Sequence, residues 1–396
     1  MPPVTLPSSY ICNNLLIIID VQAQIWKKEC IICCKGQSSD PLRNKELRNK
    51  EHRETKNTEK QRMQRNKNDG TVAMIDGTGR SIDYLRISIT DRCNLRCIYC
   101  MPENGICEIG HAQILSFEEI LRLVRIMTGL GVKHIRLTGG EPMVRRGCLD
   151  LARRLNEVPG VESISMTSNG IMLKDRIHEA KLAGISSLNI SIDALSPDIY
   201  SGLTRGGDVA QVLRTLRQAL EEGMNVKVNA VPVRGYNDEE LIPLARLAKD
   251  NDLCVRFIEL MPIGYGARAG RIPYEEVAET LKEAFGEPAA EEQVHGHGPA
   301  RYVKYPGFKG SVGFISAVSH EFCSSCNRIR LTADGQLKLC LNHTTGLDLR
   351  SMLRDGEDDG RIAGFIRKAI EDKPGRHAFY EEINDHEDRS MNAIGG

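Results

Sequence analysis

Six times between Tyr84 and Leu260 the chain repeats one unit: a short strand of alternating apolar residues, a turn, and a segment of helical periodicity. The strand candidates are residues 84–89, 133–138, 162–168, 187–193, 226–231 and 255–260. Between them lie amphipathic helices. One spans 117–130, with Ser116 and Glu119 spaced as a capping box; another spans 209–222, with Val209, Val212, Leu213, Leu216 and Leu220 on one face. Strand–helix alternation of this kind folds as a parallel sheet with right-handed crossovers. A complete eight-unit barrel takes about 250 residues. Six units therefore predict an α/β fold, an incomplete (β/α)6 TIM-like barrel open on one side. Beyond Arg301 the pattern changes to hairpin-like strands with Ala333-Asp334-Gly335 as a turn. That second region, 301–396, is expected to close the open side of a barrel spanning 71–300.

The strands also carry a division between faces, because side chains alternate with period two. Leu85, Ile87 and Ile89 oppose Arg86, Ser88 and Thr90; Ile135 and Leu137 oppose Arg136 and Thr138. Leu188, Ile190 and Ile192 oppose Asn189, Ser191 and Asp193, and Val226 and Val228 oppose Lys227 and Asn229. The apolar set must meet the helices, which leaves the polar set facing the lumen. An ordinary barrel lumen is filled with bulky apolar side chains. Several polar faces in register instead predict a wet cavity, and Arg86, Arg136 and Lys227 within it suit an anion such as a phosphate chain.

Composition narrows the classes further. The 396 residues carry 53 basic and 53 acidic side chains, so no global field attracts nucleic acid or an anionic membrane. The longest apolar run, Leu15 to Ile19, is far short of a membrane span, and the N-terminus has no secretory pattern. A cytoplasmic location is expected. Thirteen cysteines there point to metal ligation or catalysis before disulfides. Residues 1–70 differ from the rest: an apolar start with Cys12, Cys30, Cys33 and Cys34 precedes a run of Lys, Arg, Asn and Glu. That run reads as a disordered or non-native extension, and Met74-Ile75-Asp76 as a natural start.

Two cysteine constellations stand out. Cys93, Cys97 and Cys100 form a Cys-x3-Cys-x2-Cys run directly after the first strand, where barrel active sites sit. Three thiolates that close together suit a 4Fe-4S cluster with one open iron; the competing structural zinc would need Cys107 or the more distant His111. Farther on, Cys323, Cys326 and Cys340 are followed by His343, so a second iron–sulfur cluster and a Cys3His zinc site are both compatible with the spacing.

The first constellation, with Tyr99 before its last cysteine and Thr138-Gly139-Gly140-Glu141-Pro142 after the second strand, resembles the radical S-adenosylmethionine superfamily. The segments LRISITDRCNLRCIYCMP, IRLTGGEP, MTSNG, NISIDAL, NVKVNAV, RFIELMPIG, FCSSCNRIR and the terminal MNAIGG resemble the GTP 3′,8-cyclase family of molybdenum-cofactor synthesis, from Met74 to Gly396. The resemblance implies two 4Fe-4S clusters, at Cys93, Cys97 and Cys100 and at Cys323, Cys326 and Cys340. It implies S-adenosylmethionine on Tyr99, Gly140, Ser191 and Met261, and GTP on Arg86, Arg136, Thr167, Lys227, Arg328 and Arg330. Arg328, Arg330, Lys227 and the Gly395-Gly396 tail would act in catalysis. Cleavage of S-adenosylmethionine would give an adenosyl radical that takes the ribose 3′ hydrogen of GTP, and the sugar radical would attack guanine C8. Implied partners are a flavodoxin-like or ferredoxin-like electron donor and a downstream cyclic pyranopterin monophosphate synthase, with room for a homodimer and no role for nucleic acid or membrane. Two other readings stay open: a radical enzyme acting on another substrate such as a peptide, and a non-catalytic zinc protein binding nucleic acid through its basic N-terminal run.

Overall fold

The structure, a computed structural model, describes residues 73–291, 295–379, 387 and 389–395. The readings of the 1–70 extension and of Gly396 lie outside those residues. Six parallel strands follow the expected order: β1 (Tyr84–Ser88), β2 (His134–Thr138), β3 (Ser163–Ser168), β4 (Ile185–Ser191), β5 (Asn225–Ala230) and β6 (Cys254–Ile258). The helices between them include α1 (Phe117–Gly129), α2 (Cys148–Asn156), α3 (Ile177–Leu182), α4 (Pro197–Thr204), α5 (Val209–Glu221) and α6 (Leu241–Asp250), with α7 (Tyr274–Phe285) after β6. The capping box at α1 is formed on both sides: the Ser116 hydroxyl accepts from the Glu119 N–H, and the Glu119 carboxylate accepts from the Ser116 N–H.

The core lies between the sheet and these helices. Leu85, Ile87, Ile135, Leu137, Ile164, Met166, Leu188, Ile190, Val228 and Val255 are each 0 % exposed. Each such burial stabilises the fold by about 1.5–3 kcal/mol relative to leaving the side chain in water. Because these residues take every second position, the intervening ones are turned inward.

The later strands are β7 (Ala289–Ala290), β8 (Arg301–Lys304), β9 (Ser311–Ile315), β10 (Arg328–Leu331), β11 (Gln336–Lys338) and β12 (Gly346–Asp348). They do more than span the open side. β10 pairs parallel to β1 and β9 parallel to β6, so the second region lengthens the parallel sheet at both edges, from six strands to eight. The outer β11 and β12 at one end, and β8 and β7 at the other, pair antiparallel and leave the sheet open. The turn at Ala333-Asp334-Gly335 joins β10 to β11 as expected, with Gly335 at φ 84°. Three further helices follow: α8 (Leu349–Arg354), α9 (Asp359–Glu371) and the short α10 (Met391–Ile394). α9 packs its Ile362, Ile366 and Ile370 inward against α1, and Arg122 of α1 pairs with Asp359 at 2.7 Å. Among the described residues no helix is long and apolar enough to cross a membrane.

Candidate active site

Inward-facing residues of β1 to β6, together with the second region, enclose one cavity of about 320 Å³. Both cysteine trios reach it: Cys93, Cys97 and Cys100 from the loop after β1, and Cys323, Cys326 and Cys340 from the segments flanking β10 and β11.

The first trio sits on a loop held from several sides. The Gly140 N–H donates to the Thr90 carbonyl and the Glu141 N–H to the Arg92 carbonyl, each at 2.8 Å. A Cβ on Gly140 would lie 2.3 Å from the Arg92 carbonyl oxygen, so only glycine lets the two backbones meet. Glu141 is buried and ties this turn to the end of β3, accepting from the Asn169 N–H at 2.7 Å, the Ser168 hydroxyl at 2.9 Å and the Met143 N–H at 3.1 Å. Burial pushes its carboxyl up to about 7. Tyr99 donates its hydroxyl to Asp193 at 2.7 Å; burial raises Asp193 to about 6 although that bond and the Val231 N–H favour its charged form.

The thiols fit an iron–sulfur cluster better than a lone ion. Burial pushes Cys93 up to about 11 and Cys100 up to about 12, and Cys97 well above its ordinary value, with the neighbouring acids and thiols adding to it. Three thiolates cannot persist here without a compensating cation. Yet among the described residues the only trio of potential ligands whose donor atoms all lie within 4.8 Å of one another is a different one, Glu321, Cys323 and His377. Cys93, Cys97 and Cys100 are not so close together, and all three line the cavity. At the second trio the balance differs. Burial alone would raise Cys326, but Arg328 and Lys373 bring it down to about 7, and the Arg328 guanidinium donates to its sulfur at 3.6 Å.

Between the trios the wall is cationic. Arg330, Arg86 and Arg136 stand side by side in register on β10, β1 and β2. Burial lowers Arg86 well below the ordinary guanidinium value, with Arg330 and Arg136 adding to it; burial and Arg328 bring Arg330 to about 10. Arg256 on β6 is 3 % exposed and held by neutral groups, Asn189 at 2.5 Å and Asn229 at 2.6 Å. Among the described residues no carboxylate pairs with Arg136, Arg256, Arg328 or Arg330. Thr167 adds a buried hydroxyl without a partner among the described residues. The tail enters beside this wall: the Gly395 carbonyl accepts from Arg330 at 2.5 Å, and Asn392 donates to the Asp91 carbonyl at 2.8 Å. Gly395 has φ 78°, and a Cβ there would meet Ser88 at 2.9 Å.

Residues 87–248 match the Radical SAM superfamily, and residues 253–379 match Molybdenum Cofactor Synthesis C. A GTP 3′,8-cyclase of Pelotomaculum thermopropionicum is 45% identical over 327 residues, covering 82% of this chain and 100% of that one. One from Clostridium perfringens is 42% identical over 323 residues, with the same coverage of each chain. The chain belongs to the GTP 3′,8-cyclase family. Its fold is also similar to that of Streptococcus suis SuiB, crystallised with S-adenosylmethionine, at a TM-score of 0.53 and 14% identity, covering 88% of this chain and 78% of that one.

Set against the pattern read for this cyclase family, the structure brings Arg86, Arg136, Thr167, Arg328 and Arg330 together with Tyr99, Gly140, Ser191 and Met261 on one cavity wall. Lys227 is not on that wall. It lies one pleat below Asn229, 3 % exposed, donating to Asn225 at 2.9 Å, and burial lowers it to about 8. His343 does not line the cavity either; its Nε2 lies 3.4 Å from the Arg376 carbonyl, while His377 stands on the wall. The sequence assigns no separate role to Arg256, Glu141, Asn392 or His377. Arg256, Glu141 and Asn392 lie inside the motif segments themselves, which was the signal available for them.

Proposed function

We infer that the chain converts GTP into (8S)-3′,8-cyclo-7,8-dihydroguanosine 5′-triphosphate by radical S-adenosylmethionine chemistry, the first step of molybdenum cofactor biosynthesis. The observation that carries this is one cavity lined by both cysteine trios and by Arg86, Arg136, Arg256, Arg328 and Arg330. The chemistry available from a cluster held by Cys93, Cys97 and Cys100 is one-electron cleavage of S-adenosylmethionine.

The protein's own residues do the rest. Gly140, Tyr99, Ser191 and Met261 would hold S-adenosylmethionine at the first trio. Arg86, Arg136, Arg256 and Thr167 would take the triphosphate and sugar, and their existing burial means that binding adds charge complementarity with little rearrangement. Arg328 and Arg330 would orient the nucleotide toward Cys323, Cys326 and Cys340. Gly395 would close over it, the Gly395-Gly396 tail acting in catalysis, and Lys227 would act from below the wall through the field it adds. Leu95, Met101, Ile258 and Leu260 give the cavity an apolar lining that excludes water from a radical. In this reading 71–300 is the barrel and 301–396 the second-cluster region, in a cytoplasmic enzyme. It takes electrons from a flavodoxin-like or ferredoxin-like donor, hands its product to a cyclic pyranopterin monophosphate synthase, and is compatible with a homodimer.

The test is anaerobic reconstitution, then iron counting and product analysis with GTP and S-adenosylmethionine. About eight irons per chain and a cyclised nucleotide are expected; about four irons with one zinc would remove the second cluster. In Arg330→Ala, S-adenosylmethionine cleavage should persist while cyclisation is lost. Undiminished cyclisation would end the role given to Arg330.

A further inference from the structure

Among the described residues only two that are not glycine hold a positive φ, and one of them, Arg205 at φ 55° and ψ 60°, ends α4. The left-handed region brings the Cβ of an L residue against the following carbonyl oxygen, and helices that end there do so with glycine or asparagine. The helix terminus by itself gives no reason for an arginine.

The side chain supplies one. A single nitrogen of the Arg205 guanidinium donates to the Met101 carbonyl at 3.0 Å and to the Arg96 carbonyl at 3.2 Å. Arg96 precedes Cys97 and Met101 follows Cys100, so the two bonds bracket the segment that carries two of the three cysteines of the first trio. The same helix end also receives the loop's own donors: the Arg96 N–H meets the Thr204 carbonyl at 3.1 Å, and the Ile98 N–H meets the Leu203 carbonyl at 3.0 Å. The last carbonyls of a helix have no partner within it, and here the loop fills them. Bonds therefore run both ways between loop and helix end. Inside the bracketed segment the Cys100 N–H donates to the Cys97 carbonyl at 2.9 Å. The chain beyond Arg205 is packed closely as well, since a Cβ on Gly207 would lie 2.5 Å from the Thr204 hydroxyl and 3.1 Å from Leu95. Arg205 stands exposed on the outer side and reaches the sulfurs only through the backbone of the loop.

We propose that Arg205 is a positioning residue for the first trio, holding Cys97 and Cys100 in the mutual placement that an iron–sulfur cluster needs. Its left-handed backbone aims the guanidinium at the two carbonyls. The proposal rests on the cluster assigned above to Cys93, Cys97 and Cys100. A ligand that swings away from iron returns at once when its loop is pinned and stays away when the loop is slack. Partners that hold metal ligands in place are accordingly worth about 10–100-fold in retention of the metal.

The test uses the full-length chain carrying Cys323→Ser, Cys326→Ser and Cys340→Ser, so that only the first trio can hold a cluster. The chain is reconstituted anaerobically, and iron release to a chelator is timed with and without Arg205→Gly. Glycine relieves the backbone while removing the guanidinium, which separates the two roles. Release about tenfold faster is expected, with the Tm of the cluster-free chain lowered by no more than about 3 °C. Equal release rates would overturn the proposal. So would faster release accompanied by a larger fall in Tm, which would make Arg205 an ordinary contact of the fold. Should Arg205→Gly fail to fold, Arg205→Asn, which also tolerates the left-handed region, gives the same comparison. A parent chain that takes up no iron would overturn the cluster assignment and the proposal with it, whereas a loaded parent with an indifferent Arg205→Gly overturns the proposal alone.

Discussion

Glu141 illustrates how a single side chain ties the site to the fold. Its carboxyl is fully enclosed, accepts three hydrogen bonds, and is raised by burial from 4.5 to about 7. The folded chain therefore holds this proton at a pH where the unfolded chain has released it. Stability from this group is present below pH 4.5 and is lost as pH rises toward 7, with a slope of at most about 1.4 kcal/mol per pH unit. Glu141→Gln should flatten that slope in denaturant titrations of the cluster-free chain. It should also cost about 1–3 kcal/mol, because its amide N–H would face the Asn169 N–H. An unchanged slope would place the titration elsewhere. At this scale the sequence was legible where chemistry repeats and silent where it does not. Arg86 and Arg136 were readable because polar and apolar residues alternate around them. Arg256 was not readable by alternation, because Cys254 and Ile258 on its own face are as apolar as Val255 and Phe257 on the other; only its place at the head of the RFIELMPIG segment marked it. His377 had no local pattern at all; only the tertiary fold brings it to Cys323.

Among the elements, β11 links the second trio to the tail. Lys338 is fully buried, pairs with Glu387 and donates to the His343 carbonyl; across the ladder it stands opposite Arg330, which holds Gly395. Glu387 in turn binds the Arg389 side chain at 3.0 Å. A buried ion pair contributes little net stability, but removing one partner leaves a costly unpaired charge. Lys338→Met should therefore release the tail from the wall while leaving the first trio intact. The expected result is a rise of about a hundredfold in 5′-deoxyadenosine formed per cyclised nucleotide, the scale of a misplaced reacting group. Quantifying both products in one reaction decides it, and an unchanged ratio would show that Gly395 is placed without this anchor. The hairpin containing β11 was legible from its Ala333-Asp334-Gly335 turn. Its neighbour was not, because the partner of β10 is β1, nearly the whole length of the fold away in sequence.

For the whole molecule, positive charge is concentrated at Arg136, Arg256, Arg328 and Arg330 of the cavity, and among the described residues no carboxylate pairs with these four. Charge balance over the chain hides this, since 53 basic and 53 acidic residues cancel in sum but not in place. Guanidiniums that depress one another should be relieved by a polyanion. Tripolyphosphate at a hundredfold excess over its Kd should raise the Tm of the cluster-free chain by on the order of 5 °C, an effect that fades as salt is added. Equal stabilisation by chloride at matched ionic strength would mean that the arginines are not a binding surface.

The placement of β9 and β10 bears on how the chain comes off the ribosome. The six central strands emerge first, and for the whole of that interval the strand that begins the sheet and the strand that ends it have bare backbone flanks, open to pairing with any neighbouring chain. β9 covers one flank, and the other stays bare until β10 arrives. The nascent protein thus passes through a long aggregation-prone stage. A premature stop before β10 leaves more than an enzyme without its second cysteine trio: it leaves a sheet with an adhesive edge, a substrate for chaperones and proteases.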